Sequence, residues 1–362
     1  MDYKSILKDF MTAFGPSGYE KEIAYRFKNE IEKTADNVII DKPGNVIARY
    51  DGTDQNAPVV MVYAHMDQLG FIVRKIEPNG FIQVDRLGGI PEKVLPALNV
   101  RILTKDEGYV DGVFGNKSHH ASAPEDKYKV DYVTSLHIDI GATSAKKVRD
   151  LGVDIGCPVT YTPSFTALAG DFVSGTAIDN RGGLAALVST ANTLKDKPHT
   201  STVYLVGTVW EEFNLRGAIL AARKIKPDIA IYLDVALTGD THDLSNRYET
   251  ACGKGPALIL YSFHGRGTLN GTIAHAGLAK LTEQTAKEEN IPLQRFASLG
   301  IVSDSAYVQL EGDGVAALEL GFPCRYTHTP VETSNINDIV LLGKLAGSMV
   351  SRIDSSFNLH RY

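Results

Sequence analysis

Only three cysteines occur in 362 residues, and Cys157, Cys252 and Cys324 lie far apart. An odd, dispersed set is no disulfide framework, and without a CxxC pair it argues against a cysteine-ligated zinc site. Isolated reduced thiols suit a cytosolic protein. No apolar run approaches the ~20 residues needed to span a bilayer. Met1-Asp2-Tyr3-Lys4-Ser5 has no apolar signal region. Nor is there a block of Lys and Arg that would meet nucleic acid or an anionic membrane. The formal net charge is -6, which speaks mainly to solubility. These gaps predict a cytoplasmic protein with neither nucleic acid nor membrane as partner. What is present is ordinary for a globular chain: 43% hydrophobic and 22% charged residues, and length enough for one large domain or two. No internal repeat or low-complexity tract interrupts it.

The texture changes twice along the chain. Ile6, Phe10, Met11 and Phe14 recur at helical spacing, and Gly15-Pro16-Ser17-Gly18 ends that helix. A second helix carries Ile23, Phe27 and Ile31. Strands are predicted at 38–40, 46–48 and 59–63, the last apolar throughout, as a strand buried on both faces should be. From about Phe71 to Tyr161 short alternating runs follow one another, punctuated by Gly, Pro and Asn and broken by one short helix near 145–151. That pattern predicts a small β-barrel or sandwich. After Gly170 strands and helices alternate again: helix 182–194, strand 203–209, helix 215–225, strand 229–233, helix 277–289, strand 315–319 and helix 337–353. The predicted fold is α/β, a mostly parallel-core mixed sheet flanked by helices. Its catalytic domain comprises residues 1–69 and 165–362, and a β-barrel domain is inserted at 70–164.

Short acidic or histidine-bearing motifs stand where apolar strands give way to polar segments. His65 and Asp67 follow the strand 59–63 and point the same way if the extended backbone continues. They read as a metal ligand with an orienting carboxylate, or as a buried hydrogen-bonded pair. Asp179 lies among glycines just before a helix, as a ligand or as an N-cap. Glu211 and Glu212 close a buried strand. One could bind metal while the other serves as a base, or both could belong to the first turn of the next helix. Asp234 ends the strand 229–233, at the carboxyl end where open α/β sheets gather ligands. His328 sits in a loop before the last helix. Arg181, Lys117, His119 and His120 are weaker candidates outside the ligand set: Lys117 could reach the site from the inserted segment, but a solvated loop is the plainer reading. Taken together the motifs supply two histidines and several carboxylates, more than one tetrahedral zinc needs and enough for two cations sharing a carboxylate. Zinc and cobalt suit such N/O donors, with manganese a further candidate.

The motifs Ala64-His65-Met66-Asp67, Asp179-Asn180-Arg181, Glu211-Glu212, the Asp234 after an apolar strand and Arg325-Tyr326-Thr327-His328 occur in the order of a known family. The chain resembles, over essentially its whole length, the dinuclear glutamyl aminopeptidases and tetrahedral (TET) aminopeptidases, in the clan of co-catalytic zinc exopeptidases. The resemblance implies a zinc-exopeptidase-like fold and two divalent metal ions per subunit. Asp179 would bridge them, His65 and Asp234 would complete one site, and Glu212 and His328 the other. It further implies Glu211 as general base, Asp67 as the residue that orients His65, and a homo-oligomer of the tetrahedral dodecamer kind. Gln68, Trp210, Phe213-Asn214 and Ser303-Asp304-Ser305 depart from the usual pattern without removing a ligand or the base. The expected activity is removal of N-terminal residues from short peptides, by a metal-bound water that Glu211 deprotonates. A related metal-dependent amidase or deacylase is the alternative. A glycosidase fits less well, because adjacent glutamates do not flank a scissile bond.

Overall fold

The computed structural model describes residues 1–265 and 271–361. Twelve strands form one mixed sheet. At its centre four neighbours run parallel: Val203–Thr208, Val60–His65, Ile229–Leu237 and Ala316–Arg325. Antiparallel strands extend both edges, with Val46–Tyr50 and Asn37–Ile40 on one side and Glu332–Asn335, Phe172–Gly175 and Phe165–Ala167 on the other. Ala257–Phe263, with Gly271–Ile273 and Gln294–Leu299, branches off beside Ala316–Arg325.

The two-residue period of a strand explains the layers. Val60, Val62 and Ala64 face a core built with Leu7, Phe10, Phe27, Leu184 and Ile339. Met61 and Tyr63 face the other way, onto Ala218, Ala221, Ala222 and Val308. Both faces are therefore covered, which is why the central strands read as continuous apolar runs. A separate core, with Phe71, Val84, Ile102, Phe114 and Val159, fills a closed six-stranded antiparallel barrel running from Gly70 to Tyr161.

The helix Ile178–Asp196 is buried along most of its length. It lies against the helix Ile336–Val350, and Gly343 lets the two backbones meet: a Cβ there would stand 2.1 Å from the Ala186 carbonyl oxygen. Gly343→Ala should therefore cost about 1–3 kcal/mol, the usual price of overpacking, read as a lower urea midpoint at unchanged slope.

Three strand extents differ from expectation. Val60–His65 includes His65 itself, and Ile229–Leu237 continues past Asp234, so Asp234 lies within a strand and not at its end. The Ala316–Arg325 strand runs on through Gly321 and Pro323, residues that read as breakers. Pro323 falls between the register of Ala257–Phe263, which ends at Gly321, and that of Glu332–Asn335, which begins at Cys324. A residue without an N–H is tolerated in such a gap. The helix expected from Leu215 starts at Gly217. No strand was expected between Asp234 and Gly277, yet Ala257–Phe263 is an apolar run, a legible signal. All three cysteines are free and buried, and burial pushes the Cys252 thiol up to about 12.

Candidate metal centre

The four parallel strands deliver their motifs to one edge. Thr208 lies opposite His65 in register, so Glu211 and Glu212, three and four residues later, come up beside His65. Asp234 is on the next strand, and the strand after it leads to His328. Asp179 reaches the same edge from the start of its helix. Asn180 and not Asp179 caps that helix, its Oδ1 accepting the Gly183 N–H at 3.0 Å, while Asn180 Nδ2 donates to the Leu233 carbonyl. The Asp179 carboxylate is thereby left for the pocket. The Asp179–Asn180 peptide is cis.

All the ligand candidates converge. Asp179 Oδ1 is 3.2 Å from His65 Nε2, and its Oδ2 is 3.7 Å from His328 Nε2. His65 Nε2 also lies 3.9 Å from Asp234 Oδ1 and 4.0 Å from Glu211 Oε2. His328 Nε2 is 3.9 Å from Glu212 Oε1. Tetrahedral zinc with ~2.0–2.1 Å bonds spaces its ligands by ~3.3 Å, so these gaps need only small adjustment. Two groups, His65-Asp179-Asp234 and Asp179-Glu212-His328, bring their ligand atoms within 4.8 Å of one another and share Asp179. A third, His65-Glu211-Glu212, is equally compact.

Both histidines are held from behind. His65 Nδ1 donates to the Asp67 carbonyl oxygen at 3.0 Å, and His328 Nδ1 to the Gly89 carbonyl at 2.8 Å. In each neutral ring that donation leaves Nε2 unprotonated and facing the pocket, the form that ligates metal. The Gly89 contact comes from the barrel segment, and a Cβ at Gly89 would stand 3.3 Å from His328 Nδ1.

The Asp67 carboxylate is placed otherwise than expected. Its nearest approach to His65 Nδ1 is 3.6 Å. Its oxygens instead accept the N–H groups of Glu211 (2.9 Å) and Glu212 (3.0 Å) and the Ser17 hydroxyl (2.6 Å). Glu20 accepts the Trp210 N–H at 3.3 Å. Three consecutive backbone donors, residues 210–212, thus rest on buried carboxylates, which fixes a loop containing three left-handed residues, Trp210, Asn214 and Leu215. Behind Asp67 the wholly buried Arg181 donates to Gln68 Oε1 at 3.0 Å. Lys117, His119 and His120 are exposed, with Lys117 near Asp126.

The electrostatics ask for cations. Burial pushes Glu211 and Asp234 well above the carboxylate range and Glu212 up to about 7. Neither the Glu211 nor the Glu212 carboxylate receives a hydrogen bond from the described residues. Burial opposes charge on the histidines too. The nearby Glu211 charge and the hydrogen bond between His65 and Asp179 nevertheless raise His65 well above its usual value, and Glu212 and Asp179 raise His328 to about 9. Asp179 alone of the set is lowered: burial would raise it, but His65 outweighs that. Without metal the pocket must hold protons to balance its carboxylates. A divalent ion replaces those protons and repays the desolvation. The donor set fits the group: nitrogen and oxygen only, two shared half-sites, no thiolate.

Residues 44–345 match the family model for M42 glutamyl aminopeptidase. The chain belongs to that family. Members of the family are metal-dependent, and this chain is an aminopeptidase-type hydrolase. SgcX of Escherichia coli (strain K12) is 40% identical over 335 residues, 91% of this chain and 90% of that protein. The lysyl aminopeptidase of Pyrococcus furiosus is 32% identical over 353 residues, 96% of each chain. The TET1 peptidase of Pyrococcus horikoshii, which assembles into a tetrahedron or a large octahedral shell, superposes with a TM-score of 0.85 at 28% identity, over 97% of this chain and all of that one.

Glu332 and Glu20 escaped the sequence reading as parts of this site, whereas Arg181 and Asp304 stood in its motifs without an assigned role. Asp304 is fully buried and pushed up to about 7 by that burial. The Glu20 contact with Trp210 and the Glu332 contact with Asp179 span more than 150 residues, so no local pattern could have shown them.

Proposed function

We propose that this chain is a two-metal aminopeptidase that removes N-terminal residues from short peptides. One observation carries the reading: the two oxygens of Asp179 turn toward two different histidines, the disposition of a bridging carboxylate. His65, Asp179 and Asp234 would hold one divalent cation, and Asp179, Glu212 and His328 the other. Zinc or cobalt suits these donors, and manganese is the further candidate. When bound, such a pair supplies Lewis acidity toward a carbonyl and a strong nucleophile at neutral pH.

The protein's own residues divide the remaining work. Glu211 is not needed by either three-ligand group, is buried, and has a raised proton affinity. Those properties suit a general base that takes a proton from water and returns it to the leaving amine. Asp67 orients the Glu211–Glu212 loop through its N–H groups and His65 through its carbonyl. The barrel, taken as an inserted domain at 70–164 within a catalytic domain of 1–69 and 165–362, walls the pocket through Gly88 and Gly89, next to Glu212 and His328. A pocket closed on one side accepts a chain end more readily than a chain interior. By its relatives' example the chain would act as a homo-oligomer of the tetrahedral dodecamer kind, and by composition in the cytoplasm.

The test is a panel of peptides with acidic, basic and apolar first residues, each with a free and an acetylated N-terminus. Cleavage confined to free termini is expected. Cleavage of the acetylated set would favour a metal-dependent amidase or deacylase.

A further inference from the structure

Glu332 belongs to neither candidate ligand group, yet it joins members of both. Its side chain is buried, the residue being 2% exposed. One carboxylate oxygen accepts the Asp179 N–H at 2.9 Å and the other accepts the His328 N–H at 2.8 Å. Asp179 opens a helix and His328 lies in the loop before the strand Glu332–Asn335. These two donors, more than 140 residues apart in sequence, are fixed by one carboxylate.

Each donor sits in backbone that regular structure does not fix. His328 has φ 66° and Tyr326 φ 60°, left-handed conformations that strain a non-glycine residue and persist only where surroundings hold them. Asp179 has φ -77° and ψ 105°, outside the helix it precedes. If either backbone turned, the 3.7 Å gap between Asp179 Oδ2 and His328 Nε2 would open or close. The Gly89 carbonyl fixes the ring of His328 but not its backbone. No other side chain among the described residues accepts from both N–H groups.

We infer that Glu332 is a positioning residue that holds the bridging carboxylate and His328 at one spacing, and so sets the affinity of the His328 half-site for its cation. The inference rests on the two-cation reading of the site. The requirement is specific: two acceptors at the ends of a side chain long enough to span both donors. Glu332→Gln keeps the length but turns an NH2 toward one N–H. Glu332→Asp keeps the charge but is one methylene short of spanning both.

The experiment compares metal-free wild type, Glu332→Gln and Glu332→Asp as full-length protein. Each is titrated with zinc alone against a chromophoric chelator, and its melting temperature is measured without metal. Wild type should bind about two zinc ions. Each variant should keep one near the wild-type affinity and bind the other ~10–100-fold more weakly, the usual effect of losing a group that orients a ligand. Should the Gln variant fail to fold, the Asp variant carries the same comparison. Either variant binding both ions at wild-type affinity overturns the inference, and so does a lower metal-free melting temperature with unchanged affinities, the mark of a purely structural role. Wild type that binds no zinc would instead overturn the two-cation reading on which the inference stands.

Discussion

Glu211→Gln should keep its full metal content and lose two or more decades of turnover, the size expected for removal of a general base. The substitution is nearly isosteric, and the backbone it sits on is held independently by Asp67 and Glu20, so the loop should not move. An amide cannot accept and return the proton. The neighbouring Glu212 cannot replace it, because its carboxylate is committed to the group it forms with His328 and Asp179. Steady-state rates on the preferred free-terminus peptide, with metal analysis of the same sample, check this. Turnover within tenfold of wild type would remove Glu211 from the reaction.

Asp179→Asn should do more damage, at least ~10³-fold in rate, with a fall in bound metal. Changes in groups that merely orient ligands cost ~10–100-fold, and Asp179 itself is the group shared by both half-sites. The asparagine offers one oxygen and places an NH2 where the second cation should sit. Its backbone N–H still reaches Glu332, and Asn180 still caps the helix, so the fold should survive, as melting of the metal-free protein would confirm. A variant with two bound metals and undiminished rate would mean that the bridge lies elsewhere.

Much of this architecture was legible because the central strands are buried on both faces. That burial makes Val59-Val60-Met61-Val62-Tyr63 and Ile229-Ala230-Ile231-Tyr232-Leu233 apolar throughout, so a following His65 or Asp234 stands out. The change of texture after Asp67 likewise announced the barrel. Other parts were hidden for physical reasons. Asp234 lies three residues before the end of its strand at Leu237, since the last residues there also pair with Ala316–Arg325. Gly321 and Pro323 disguised the end of that partner strand. The Asp67 carboxylate proved to serve two backbone amides 144 and 145 residues away, a contact that no sequence spacing encodes. The same holds for Glu332, whose partners are brought together only by the folded sheet and helix.

The proposed chemistry depends on a pair of cations shared by Asp179. It is tested most directly by metal analysis of the purified chain before and after chelation, with the peptide assay run at each stage. About two divalent ions per chain are expected, with activity abolished when they are stripped and restored when zinc or cobalt is returned. Peptide cleavage that persists in chelator, with no bound metal, would contradict it.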